Sequence, residues 1–206
     1  MLYTYSQDKL NKADFALSTG GAKIISPLTS PTYEQWPKQL HKIAIAKLTG
    51  HGITRGKPPI TALQPETHVG QCWPFAGQQG QLAVLLSRRI YVTAITYDHV
   101  SKTVAMGTTS APKEFEVWAF IDDDNDSNKK TDLKLGKSPN HLFLGRFTYD
   151  INGSPIQTFE VEKWNKPVRA IIMKVNSNWD NPNYTCLYRF RVHGIRADVK
   201  QNFSTG

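Results

Sequence analysis

The sequence predicts an all-β protein, a β-sandwich built as one domain, and three observations carry that prediction. From Gln81 onward the chain breaks into seven runs rich in branched and aromatic residues, each of strand length and each bounded by turn residues. Its 206 residues suffice for one large core, and all-β domains of this length are commonly single units. Hydrophobic residues make up 39%, with 5 Trp, 8 Tyr and 9 Phe, which supplies that core and excludes a disordered chain.

Taken in order, residues 1 to 17 place Leu10, Ala13 and Leu17 at three- and four-residue spacing. This predicts a short polar helix that stops at Gly20-Gly21. Too short to stand alone, such an N-terminal extension is either the end of a coiled-coil stalk or an element packed on the domain. The domain proper is expected over 18 to 196, with 197 to 206 as a C-terminal tail. Within it, residues 32 to 59 combine an apolar stretch (Ile43, Ala44, Ile45, Ala46, Leu48) with Pro37 and a glycine-rich turn from Thr49 to Gly56. That mixture reads equally as helix or hairpin, and is expected to form a surface flap.

The strand-like runs are LAVLLS (82 to 87), IYVTAITY (90 to 97), FEVWAFI (115 to 121), HLFLGRFTY (141 to 149), IQTFEVE (156 to 162), RAIIMKV (169 to 175) and CLYRFRVHG (186 to 194). Turn signals such as Asn152-Gly153 separate them, the pattern of a sandwich. Between the third and fourth, IDDDNDSNKKTDL alternates Asp122, Asp124 and Asp126 as a calcium loop would. Ser127 stands where such a loop needs glycine, and Leu133 where it needs a bidentate glutamate. The stretch therefore reads as a loop between strands.

Nothing points to catalysis. There is no nucleophile elbow and no phosphate-binding glycine loop. The six histidines, His41, His51, His68, His99, His141 and His193, share no metal-ligand spacing. His68 lies close to Cys72, but such a pair alone does not hold zinc. The 25 basic and 17 acidic residues give a net charge of +8. The basic residues are scattered, with only Arg88-Arg89 and Lys129-Lys130 as small clusters. They form no stripe of the kind phosphate backbones favour, so no nucleic-acid partner is expected.

Cys72 and Cys186 are the two cysteines. They form either a disulfide or two free thiols, and the compartment decides which. Sequons at Asn125, Asn152, Asn183 and Asn202 lean towards a luminal setting, although Pro155 makes the second a poor acceptor. No apolar run is long enough to span a bilayer and the first ten residues lack a signal-peptide pattern. If the natural protein is membrane-anchored or secreted, the segment responsible is expected upstream.

The segments around the two cysteines, GQCWPFAGQQGQLAVLLS at 70 to 87 and NYTCLYRFRVHG at 183 to 194, closely resemble the SUN domain family. TYDHV, TSAPKEFEVWAF, LGRFTYD and SNWDNPNYTC follow in the family's order. The resemblance covers about residues 14 to 194. It implies a galactose-binding-like jelly roll at the luminal end of an inner nuclear membrane protein. Such a domain sits in the perinuclear space, trimerises through an upstream coiled coil, and binds the C-terminal KASH tail of an outer nuclear membrane protein. The expected role is a mechanical bridge, without catalysis.

The resemblance also assigns residues. Cys72 and Cys186 pair as a disulfide. His99, Ser110 and Tyr188, in the YDH, TSAP and CLY motifs, form the pocket for the tail's terminal carboxylate. Their imidazole, hydroxyl and phenol suit an anion. Backbone carbonyls of Thr61, Gln64, Glu66, Gln71 and Tyr188 form a loop for a monovalent cation, potassium or sodium. The position of the family's interchain cysteine falls on Thr29, so no covalent bond to the partner is expected. Segment 32 to 59 corresponds to the family's lid but is longer, and the Asp-rich loop is an insertion that suggests a divergent, fungal-type member. The jelly-roll likeness also supports a second reading, a lectin-like module in which Trp73, Trp118, Trp164 or Trp179 stacks on a sugar.

Overall fold

The computed structural model describes residues 10–105, 107–121, 141–162 and 166–198. Among these described residues there are eleven strands and one α-helix: β1 (Lys23–Ile24), β2 (Glu34–Gln35), α1 (Leu40–Thr49), β3 (Thr54–Arg55), β4 (Trp73–Ala76), β5 (Gly80–Asp98), β6 (Glu114–Ile121), β7 (His141–Thr148), β8 (Ile156–Glu160), β9 (Val168–Val175), β10 (Tyr184–Leu187) and β11 (Arg189–Arg196). The all-β expectation holds, and every pairing is antiparallel.

One strand organises the sandwich. The sequence runs 82 to 87 and 90 to 97 fuse into the 19-residue β5. Its first part lies between β1 and β9 in the order β1-β5-β9-β6-β7. Past a register break between Leu85 and Ile90, its second part pairs with β11 on one side and β8 on the other. A strand that leaves one layer to join the other makes the sandwich corner. Between the layers, alternate residues of β5 (Leu82, Val84, Leu86), β6 (Phe115, Val117, Ala119) and β9 (Ile171, Met173, Val175) meet Ile95, Tyr97, Phe190 and Val192 in one core. The opposite parity faces outward, where Ala83, Phe120 and Ile172 are covered by Leu28. At about 25 cal/mol per Å² of apolar surface buried, this period-2 division is the main source of stability.

Two sequence expectations change. Residues 10 to 17 are not helical, and residues 1 to 9 of that expected helix lie outside the described residues. The backbone of this segment bonds to strands instead: the Phe15 N–H donates to the Val192 carbonyl and the Ser87 N–H to that of Phe15. Burial of Phe15 and Ala16 in the main core outweighs the weak face formed by Leu10, Ala13 and Leu17, none of which is buried. Residues 10 to 17 thus pack on the domain, the second of the two readings open for this segment. The run 186 to 194 divides at Tyr188 into β10 and β11.

The flap 32 to 59 is both helix and hairpin. Glu34–Gln35 pairs with Thr54–Arg55, and α1 sits at the far end of that ribbon, ended by Gly50 in the left-handed conformation with its N–H on the Ala46 carbonyl. The Asp-rich loop, Lys129-Lys130, Trp164, the sequons at Asn125 and Asn202 and the tail beyond 198 lie outside the described residues. Asn152 and Asn183 are exposed. Among the described residues no helix is long and apolar enough to cross a membrane.

Candidate functional site

Cys72 and Cys186 are bonded, with their Cα atoms 5.6 Å apart. The local pairing explains why they meet. β4 and β10 form a two-stranded sheet in which Trp73 faces Leu187 and Pro74 faces Cys186. Cys72, immediately before β4, therefore arrives beside Cys186. The bond lies in a small apolar cluster with Val100 and Tyr188.

A trough runs across this disulfide. On one side a cavity of about 380 Å³ is lined by Gly70, Ser110, Asn181 and Tyr188, among others. On the other, a second cavity of about 380 Å³ is lined by Tyr33, Gln35, Thr54, Arg55, Lys57 and Pro74. Gly70, Cys72, Tyr184 and Cys186 line both. The lid ribbon β2–β3 thus forms the far wall of the trough.

Ser110 and Tyr188 are brought together at the first cavity. The Ser110 carbonyl accepts the Cys186 N–H at 2.8 Å, which fixes its loop to β10. The Tyr188 phenol oxygen accepts the Gly70 N–H at 3.3 Å. Its ring meets His99 edge to face at 4.6 Å, a favourable aromatic geometry.

His99 is placed differently. It lines another cavity, of about 220 Å³, with Tyr149, Lys102 and Asn152. Its Nδ1 lies 3.0 Å from the Val100 carbonyl and so carries the proton. Burial lowers its pKa, which keeps the ring neutral. Nε2 is then a buried acceptor with no hydrogen-bond partner among the described residues, and the ring packs on Tyr188. Burial likewise pushes Tyr149, which shares that cavity, up to about 12.

The expected cation loop leads from the 3₁₀ turn Pro59–Leu63 to Cys72. Thr61 is buried, Gln64 and Gln71 half-buried and Glu66 exposed. The Gln64 N–H bonds to the Thr61 carbonyl and the Gln71 N–H to that of His68, curving the loop, and Gly70 turns with φ of 79°. Tyr188 belongs to neither the β10 nor the β11 register, so its carbonyl is not committed to a ladder. Backbone carbonyls of this kind are able to replace the hydration shell of a monovalent ion. Among the described residues no cluster of three or more His, Cys, Asp or Glu could hold a metal.

Beneath the pocket lies a buried charge network. Asp98 and Arg189 are register partners of β5 and β11. Arg191 donates through Nε to Asp98 at 2.9 Å, and Arg189 reaches Asp14 on the N-terminal arm at 3.0 Å. Sequence reasoning missed Asp14, Tyr33, Arg55 and Gly56 because nothing local marks them. Tyr33 stacks on Tyr184 at 5.5 Å. A Cβ on Gly56 would stand 2.2 Å from Pro74 Cγ, so only glycine lets the lid approach β4 this closely. Thr29 donates to the Ile25 carbonyl and accepts the Ala83 N–H, placing its hydroxyl in a local network. Trp73 is fully buried, Lys113 covers Trp179 at 4.8 Å, and Trp118 packs on Phe143.

Residues 53–196 match the family described as Sad1 / UNC-like C-terminal. The chain belongs to the SUN domain family. It is 39% identical over 200 residues to SUN domain-containing protein 2 of Mus musculus, covering 95% of this chain and 25% of that protein. With SUN domain-containing protein 3 of Mus musculus it shares 38% over 204 residues (96% and 57%), and with SUN domain-containing protein 1 of Homo sapiens 38% over 198 (94% and 23%). This SUN domain thus spans from about a quarter to just over half the length of these relatives. Solved structures with the same fold include an allantoicase (TM-score 0.57, 11% identity, 89% of this chain and 48% of that one). A family 32 carbohydrate-binding module from Streptococcus pneumoniae EndoD (0.53, 13%, 88% and 99%) is another. At these identities they establish the galactose-binding-like jelly roll and nothing further about the SUN domain.

Proposed function

We propose that this SUN domain is a non-enzymatic binding module for the C-terminal tail of a KASH protein. The whole protein would then bridge the nuclear envelope from an upstream membrane anchor, with this domain in the perinuclear space and its chains assembled as homotrimers. The observation that carries the reading is the trough across the disulfide, with Ser110 and Tyr188 at one end and the lid ribbon at the other. A terminal carboxylate fits the Ser110 hydroxyl and the Tyr188 phenol, since hydrogen bonds to an ionised acceptor are the stronger kind. The extended tail then crosses the disulfide, and its backbone adds to the edge of β2–β3.

Thr61, Gln64, Glu66, Gln71 and Tyr188 would hold a potassium or sodium ion through their carbonyls, which would stiffen the loop that carries Gly70 to Tyr188. His99 serves in this scheme by holding Tyr188. With Thr29 where a cysteine would be needed, the grip is noncovalent.

Titration calorimetry with a KASH-type peptide tests the reading. The free-acid peptide is expected to bind, and its C-terminal amide to bind on the order of tenfold or more weakly. Equal affinity for both would remove the carboxylate role.

A further inference from the structure

His99 and Tyr188, which touch at 4.6 Å, each stand one residue beyond the Asp98–Arg189 register pair. What fixes that pair therefore fixes the base of the tail pocket. Four charges do so: Asp14, Asp98, Arg189 and Arg191, all with side chains no more than 9% exposed. Two carboxylates balance two guanidiniums. Arg191 holds Asp98, and Arg189 lies between Asp14 at 3.0 Å and Asp98 at 4.0 Å.

Three of the four charges sit on β5 or β11. Asp14 is on the N-terminal arm, through which the upstream chain enters, and the arm is held closely. Asp14 Oδ1 accepts the N–H groups of Ala16 and Val192, Phe15 bridges Val192 and Ser87 through its backbone, and the Ala13 carbonyl meets His193 Nδ1 at 2.8 Å. The arm cannot shift without withdrawing Asp14 from Arg189. A buried charge deprived of its partner must find another, and for Arg189 the other carboxylate at hand is Asp98. Re-pairing there strains the strand position next to Tyr188, and close-packed interiors transmit such strain.

We propose that Asp14 and Arg189 are positioning residues for the tail pocket, and that through them the N-terminal arm sets how tightly the tail is held. The proposal rests on the tail-binding reading above. It assigns the arm a positioning part: with residues 13 to 16 seated the pocket holds the tail tightly, and displacing them weakens its grip.

The test compares the wild-type chain with Asp14→Asn, and with Ile172→Ala as a control that destabilises the outward-facing cluster, none of whose residues lines the trough. Two quantities are read well below the melting temperature: affinity for the free-acid tail peptide, and the Tyr188 ring signals in a ¹³C-tyrosine-labelled, peptide-free sample. Asp14→Asn is expected to weaken binding on the order of tenfold and to move the Tyr188 signals. Ile172→Ala should do neither, whatever it costs in melting temperature. Should Asp14→Asn not fold, Arg189→Lys keeps the charge but cannot reach both carboxylates, and is expected to act in the same way. A folded variant with wild-type affinity and unmoved Tyr188 signals overturns the proposal. If the wild type binds free-acid and amidated peptides equally, the carboxylate reading fails by itself, and the Tyr188 signals alone then decide the coupling.

Discussion

Replacing Cys72 and Cys186 together with serine opens a loop whose ends are 114 residues apart. In the chain-entropy account, closing a loop of that size is worth about 4.7 kcal/mol at 25 °C, while native disulfides typically contribute about 2 to 5 kcal/mol. For a chain of 206 residues, an unfolding entropy of roughly 2.1 cal/mol/K per residue converts that range into a melting temperature lower by about 5 to 12 °C. Trp73, Phe75 and Leu187 anchor β4 and β10 in the main core, so the strands themselves persist without the bond, and what is lost is the tie between Cys72 and Cys186, which line both halves of the trough. Scanning calorimetry of the oxidised wild type and the double variant checks the stability, and peptide titration at low temperature checks the site, where affinity should fall. A shift under about 2 °C together with unchanged affinity would refute the account of the disulfide as the wall of the trough.

Three further outcomes are expected. Tyr188→Phe removes the oxygen that accepts the Gly70 N–H. It should cost about 1 kcal/mol in stability or less, because Gly70 can turn to water, while weakening the free-acid tail on the order of tenfold; calorimetry with the amidated tail should show no such loss. Gly56→Ala drives a methyl into Pro74 and forces the lid away from β4, costing about 1–3 kcal/mol and weakening any tail that pairs with the ribbon; unchanged binding and melting would contradict the close approach. Burial lowers the pKa of His99, His141 and His193, so on acidification the unfolded chain takes up protons first. Their stabilising contribution is complete above about pH 6.5 and is lost as pH falls from there towards the lowered folded values. The melting temperature should therefore drop between about pH 7 and 5, and His193→Gln should flatten the curve; a flat wild-type curve would contradict it.

Most strands were legible because their burial follows a period of two, as in Leu82, Val84 and Leu86 against Ala83. That β5 continues through Ser87, Arg88 and Arg89 was not, since polar residues at a sandwich corner look locally like a turn. The arm around Phe15 was misread for a related reason. Its spacing suits a helix, but the core that captures Phe15 is built by residues far along the chain. Around the site, motif likeness located Ser110, Tyr188 and the cysteine pair. It could not reveal that His99 faces a separate cavity, which depends on the Val100 carbonyl capturing its Nδ1. Asp14 and Gly56 were invisible, because their importance comes from partners more than 15 positions away in sequence.

The unbroken course of β5 has a mechanical consequence. From Ile90, just past the corner at which the arm is attached through Ser87, to Asp98 under the tail pocket, the strand runs roughly 26 Å at about 3.3 Å per residue, and β11 lies antiparallel beside it through eight register pairs. A pull that enters by the arm and leaves by the pocket would act along these strands, loading their ladder bonds side by side. Those bonds must fail together in shear, whereas a pull across the strands would open them one at a time.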